Sequence, residues 1–145
     1  MHLEPDNKIV KLCARGMELE GEGKNEEAAK VFLEAWEQAG DGKEKFTAAH
    51  YVARHQKSVA DKLTWDETAL NLASKIEDDS VKGAYPSLYL NIAKGYEDLK
   101  EFEKAIENYK TALNYAHFLH EDGYGAMIKG GIANGLDRIK THLKN

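Results

Sequence analysis

Disulfides, long apolar runs, nucleotide-binding loops and an excess of basic charge are all missing from this chain. With one cysteine, Cys13, no internal disulfide can form, which excludes a disulfide-stapled scaffold and accords with a reducing cytosol. Two prolines in 145 residues, with no Ser/Pro-rich stretch, leave no sign of a linker or disordered tail. No run approaches the ~20 apolar residues of a membrane span. The opening Met1-His-Leu-Glu-Pro-Asp6 is polar and acidic, unlike a secretory leader. These features lead to the expectation of a cytoplasmic protein. There is no Gly-x-Gly-x-x-Gly after a strand, no Walker-type loop and no convincing strand. Binding of dinucleotide, nucleotide or S-adenosylmethionine on a doubly wound sheet is therefore not expected. Twenty basic against 25 acidic residues give a net charge of −5, which argues against general binding of nucleic acid or anionic membranes.

What remains is helical. A 42 % hydrophobic and 31 % charged composition, with a mean hydropathy of −0.62, describes one soluble domain over residues 1–145. Tyr89-Leu-Asn-Ile92-Ala93-Lys-Gly-Tyr96, then Ala105-Ile-Glu-Asn-Tyr109 and Ala112, set aromatic, apolar and small residues at regular intervals. Leu12, Gly16 and Leu19, then Ala28, Phe32 and Ala35, repeat the order. Leu19 to Ala28 and Tyr96 to Ala105 are both nine residues. Two short antiparallel helices need small residues where they cross and large ones where they interlock. This is the spacing of the tetratricopeptide repeat, and the chain resembles that family over nearly its whole length. One departure is Arg15, where an apolar residue is expected; its stem can cover apolar surface while its head reaches water.

A stretched copy lies between these two. Ala28 to Ala69 is 41 residues and Ala69 to Ala105 is 36, against the family's ~34. With Ala69, Ala73 and Ile76 on its second helix, its first helix centres on Ala53. The pattern Phe46, Ala49, Val52, Ala53, Val59, Ala60 and Leu63 predicts one long helix over residues 44–62. Thr64, with Glu67 three residues on, predicts the N-cap of the next. Gly21-Glu-Gly23-Lys-Asn25 and Gly40-Asp41-Gly42 read as turns. Asp78-Asp79-Ser80 closes the second pair, Pro86 suits a first helical turn, and His120-Glu121-Asp122-Gly123 breaks the chain before a last helix. In that helix Met127, Ile128, Gly131, Ile132, Gly135, Leu136 and Ile139 form one stripe. Its glycines read as close-packing positions, with a ligand-contacting turn at Asp122 and Tyr124 as the alternative. The expected architecture is all-α: a right-handed helical-hairpin solenoid of three pairs (about 6–40, 43–78 and 84–119) and a capping helix, 122–143.

The resemblance also implies a concave groove lined by the first helix of each pair. Its ligand-facing slots fall on Val10, Cys13, Met17 and Glu20; on His50, Arg54 and Lys57; and on Ser87, Leu90, Lys94 and Glu97, with Asn91 alongside. His50, Arg54 and Lys57 follow i, i+4, i+7, so on one helix they share a face and can meet a carboxylate or phosphate. The plain alternative is a solvated face, with Arg54 and Lys57 paired to Asp61. Tyr51, His55 and Ser58 lie on the opposite flank, where they can pack on a neighbouring helix. Ala49-His-Tyr-Val-Ala-Arg-His-Gln56, Tyr85-Pro-Ser-Leu-Tyr-Leu-Asn91 and Asp122-Gly-Tyr-Gly125 are similar to a group of short bacterial repeat proteins without an established activity. Some of these carry a ribosomal-RNA adenine methyltransferase label, for which no cofactor motif is present. The lysine and asparagine clamp with which some eukaryotic relatives hold a chaperone's C-terminal carboxylate is not reproduced, since Cys13 and Met17 stand in its place.

Other chemistry is weakly signalled. His117 and His120 are i, i+3 neighbours beside Glu121 and Asp122, yet lack a firm third metal ligand, so no metal and no cofactor is expected. Cys13 has no adjacent histidine and reads as a small buried hydrophobe. Glu26-Glu27 and Asp78-Asp79 read as caps and solvated charges. The sequence thus points to a non-catalytic module that holds a protein or peptide segment. The alternative is a small-molecule or anion binder with weak enzymatic activity, using His50, Arg54, His55 and Tyr124. Homodimerisation through an uncovered terminal face is compatible with either.

Overall fold

A computed structural model describes residues 3–143; Met1 and His2, part of the opening read above, lie outside the described residues. Helices joined by short turns make up those residues, with no strand among them. The helices are α1 (Lys8–Gly21), α2 (Asn25–Gln38), α3 (Gly42–Ala53), α4 (Val59–Ser74), α5 (Tyr85–Asp98), α6 (Phe102–Tyr115) and α7 (Gly123–Leu143). Short 3-10 turns at Asp79–Ala84 and Ala116–Phe118 complete them. The chain divides after Asp78 into two compact units. No described helix is long and apolar enough to cross a membrane.

In the first unit α1 packs on α2, α3 on α4, and α3 also on α1 and α2. Asn7 starts α1 by accepting hydrogen bonds from the amides of Ile9 and Val10 through its side chain. Leu19, Gly16, Ala28, Phe32 and Ala35 are all buried, as the repeated slots predict. Gly16 is required sterically: a Cβ there would lie 2.3 Å from the Phe32 ring. Arg15 stays exposed and pairs with Glu18. The α1–α2 turn is a Schellman motif, in which Gly23 at φ 78° donates to Glu20 O and Lys24 donates to Leu19 O. Asp41 starts α3 in a capping box with Glu44, whose carboxylate also accepts from Asn7 Nδ2 at 2.8 Å.

The long helix expected over residues 44–62 is two helices. α3 ends at Ala53, and Arg54, His55 and Gln56 donate 3-10-type bonds to Tyr51, Val52 and Ala53. The Gln56 side chain satisfies Val52 O as well, so the chain can leave the helix without orphaned carbonyls. Ser58 caps α4 through its hydroxyl and the Asp61 amide. Thr64 is not the N-cap: it lies inside α4 and bonds back to Ala60 O. The additional turn of the stretched pair therefore belongs to α4, and Val59 and Ala60 are exposed at its start.

The second unit packs α5 on α6 and α7 on both. Pro86 lies in the first turn of α5. Ala93, Ala105, Tyr109 and Ile139 form one core cluster; Ala112, Ile128 and Ile132 form another. Gly135 is buried because a Cβ there would come within 2.3 Å of the Tyr109 ring, while one at Gly131 would meet only the tip of Leu90 at 3.1 Å. Met127, placed in the apolar stripe by its spacing, is 63 % exposed. It sits one residue, about 100° around the helix, from the core position that Ile128 occupies.

Candidate functional site

The expected groove residues fall in both units, and each group is described by itself. In the first unit Cys13 is buried, and burial pushes its thiol up to about 11, which leaves it a poor nucleophile at neutral pH. Met17, one turn on, is 43 % exposed, and its sulfur accepts a weak contact from the Tyr51 hydroxyl at 3.5 Å. Tyr51 stacks on Phe32 at 4.9 Å, while the Arg54 guanidinium lies 4.8 Å from the Tyr51 ring centre. Met17, Tyr51 and Arg54 thus stand side by side across α1 and the end of α3.

Arg54 does not pair with Asp61. Its Nη2 donates to Glu20 Oε1 at 2.7 Å, and His55 Nε2 meets Glu20 Oε2 at 2.7 Å. The His55 ring lies 5.5 Å from Phe32, so the expected packing of Tyr51 and His55 on a neighbouring helix is present, and Phe32 is what they pack on. Ser58, grouped with them, is spent as a cap. His50, half-buried, touches the Tyr51 ring at 5.6 Å; burial first, then Arg54 and Lys62, hold its pKa below the ordinary histidine value. Lys57 lies beyond the helix, exposed in the turn before Ser58. His50, Arg54 and Lys57 therefore do not share one helical face, because α3 stops at Ala53.

In the second unit Ser87 is buried and donates to Ala84 O, Asn91 is half-buried on α5, and Lys94 pairs with Asp98. Asp122 caps α7 by accepting from the Gly125 amide at 2.7 Å, beside an open depression of about 340 Å³ that His120 and Lys129 also line. Tyr124 is 53 % exposed. The backbone of Gly125 passes so close to His120 O that a Cβ would lie 2.0 Å away. Among the described residues no three His, Cys, Asp or Glu side chains gather in a metal-holding group; His117 Nδ1 instead faces Asn114 O.

One polar cluster was not foreseen. Glu97 receives Arg138 Nε at 2.8 Å on one oxygen; Arg138 Nη2 at 3.0 Å and the Tyr109 hydroxyl at 2.6 Å meet the other. The Arg138 bond, above all, holds the Glu97 carboxyl below its ordinary value, and burial together with Glu97 raises the Tyr109 phenol. Glu20 and Glu97 sit at the same place in the two repeats, directly after Leu19 and Tyr96. Each is gripped by an arginine that comes after the pair, Arg54 at the C-cap of α3 and Arg138 within α7. The shared glutamate is visible in the sequence; its arginine partners, 34 and 41 residues on, are not. Compared with protein-family models, curated proteins and solved structures, the chain matches none.

Proposed function

We propose that this chain is a tetratricopeptide-like helical-repeat module with no catalytic role, which holds an extended segment of a partner protein on the α1–α3 surface of its first unit. The observation that carries this reading is the row formed by Met17, Tyr51 and Arg54: an exposed thioether, an aromatic ring and a guanidinium, the last 43 % exposed even while bonded to Glu20. Such a row offers a flexible apolar contact, a stacking surface and a charge-assisted donor. Met17 and Tyr51 are borne by α1 and α3, and Arg54, at the C-cap of α3, is held by Glu20 and the Tyr51 ring, so little ordering is needed on binding. Repeated pairing supports the family reading: α1–α2 and α5–α6 bury the same slots and close with the same turn. His50 meets the Tyr51 ring edge-on, and Lys57 stands exposed in the turn after α3. A lone buried thiol suits a reducing, cytosolic setting.

Reversing Arg54 would set a second carboxylate against Glu20 and disturb the fold, so exposed Met17 and Lys57 are the better probes. A library of displayed linear peptides should enrich sequences with an apolar anchor near a carboxylate. Met17→Glu should weaken their binding about tenfold or more, equivalent to about 1.4 kcal/mol, and Lys57→Glu less, at unchanged melting temperature. No enrichment, or peptides that bind wild type and Met17→Glu alike, would reject the reading.

A further inference from the structure

The two units carry the same three-helix arrangement. Gly16, Leu19, Gly23, Ala28, Phe32 and Ala35 correspond to Ala93, Tyr96, Lys100, Ala105, Tyr109 and Ala112, each 77 residues on. The following helix continues the match at a spacing of 84 residues. Tyr51 of α3 lies on the Phe32 ring as Gly135 of α7 lies on Tyr109, and Arg54 grips Glu20 as Arg138 grips Glu97. α7 is therefore to α5 and α6 what α3 is to α1 and α2. The correspondence breaks on the next face. α3 also packs on α4 and buries Phe46, Ala49 and Ala53. Their counterparts on α7 are Gly130, Ala133 and Asp137, and all three are exposed.

Gly130 is the anomaly on that face. Glycine inside a helix is destabilising relative to alanine, and here nothing lies within 4 Å of where its Cβ would be. It makes no local contact that explains it, whereas a second backbone approaching closely would. The charges indicate which backbone. Lys129 and Asp137 are both exposed, one turn before and one turn after Ala133. When two α7 helices cross antiparallel about a two-fold axis at Ala133, residues equidistant from it face each other. Lys129 of each copy then meets Asp137 of the other, forming two reciprocal ion pairs on either side of the Ala133 crossing, with Gly130 about one turn from it, where a side chain would hold the two backbones apart. We propose that this face of α7 is occupied by α7 of a second copy of the chain, as an isologous antiparallel homodimer.

Mass in solution across a concentration series, by light scattering or sedimentation on the whole chain, tests this. Wild type should approach twice the 16.2 kDa of one chain. Ala133→Arg, at an exposed helical position, should give a monomer that keeps the helical circular-dichroism spectrum and a cooperative melt. Lys129→Asp and Asp137→Lys should each weaken the dimer, and the double reversal should restore it. A wild type that stays monomeric at its highest soluble concentration overturns the proposal and leaves the face to another partner. A dimer that survives Ala133→Arg overturns it too, and so does a double reversal that restores nothing.

Discussion

Gly16 and Gly135 do the same work in different helices: each lets a backbone lie on a fully buried ring, Phe32 or Tyr109. A methyl at either position meets ring carbons at 2.3 Å, and neither ring can swing away. Tyr109 is also tied by its hydroxyl to Glu97. Gly16→Ala and Gly135→Ala should therefore each destabilise by about 1–3 kcal/mol, overpacking outweighing alanine's better helix propensity. Gly131→Ala meets only the flexible end of Leu90 and should change the melting temperature little. Equal losses at all three glycines would show that the ring contacts do not decide the matter. Two titrating groups also separate by pH. His50 has a folded pKa below its ordinary 6.5, so the unfolded chain takes the proton more readily. The stability tied to its neutral form is present above 6.5 and lost as pH falls towards the folded value. Glu97, held below its ordinary 4.5, stabilises above that value and loses its contribution as pH falls through the lower folded one. In urea titrations His50→Gln should flatten the decline that starts below 6.5, and Glu97→Gln only the one below 4.5. The reverse assignment would contradict the local environments described.

Helix pairs were legible where the slots repeat, and the reason is steric: small residues at crossings and rings at interlocks leave a spacing that survives in the sequence. The α3–α4 boundary was not legible, because apolar residues recur at helical spacing on both sides of it, from Phe46 to Ala53 and from Val59 to Leu63. The break is made by polar side chains, Gln56 on Val52 O and Ser58 on the Asp61 amide. Thr64 with Glu67 imitates a capping box inside a helix. For the same reason the basic triad read along residues 50–57 came apart, since its geometry depended on a helix that ends at Ala53. The α5–α6 turn offers a test at this scale. It repeats the Schellman closure of α1–α2, with Lys100 donating to Glu97 O and Glu101 to Tyr96 O, but places Lys100 at φ 64° where the first copy has Gly23 at 78°. A left-handed conformation is strained for lysine and free for glycine. Lys100→Gly should raise stability by about 1 kcal/mol despite the added freedom of the unfolded chain. A melting temperature that falls would mean that the Lys100 side chain contributes more than its backbone strain removes.

At the scale of the molecule, the division after Asp78 falls between the two copies of the three-helix arrangement, with α4 left on the side of the first. Each copy contains its own buried ring, its own glycine against that ring and its own glutamate–arginine grip. In the second unit α5, α6 and α7 bury Ala93, Ala105, Tyr109 and Ile139 together, and Ala112, Ile128 and Ile132 beside them. α7 closes that core from α6 and α5 alike. A repeat that cannot bury its apolar face alone needs a neighbour, and here the third helix supplies one. Domains of this size are marginal, since about 60 % of the chain's surface is buried on folding, but a core closed on its own helices is the condition for independence. Residues 79–145 expressed alone should thus keep a helical circular-dichroism spectrum, melt cooperatively and retain a slowly exchanging Tyr109 amide. Deleting α7 from that fragment should abolish the cooperative melt, because Tyr109 and the Glu97 carboxylate would lose Gly135 and Arg138 together. A fragment of α5 and α6 that melts as sharply as the three-helix unit would show that the pair, and not the triplet, is the folding unit, and the equivalence drawn between α3 and α7 would lose its energetic meaning.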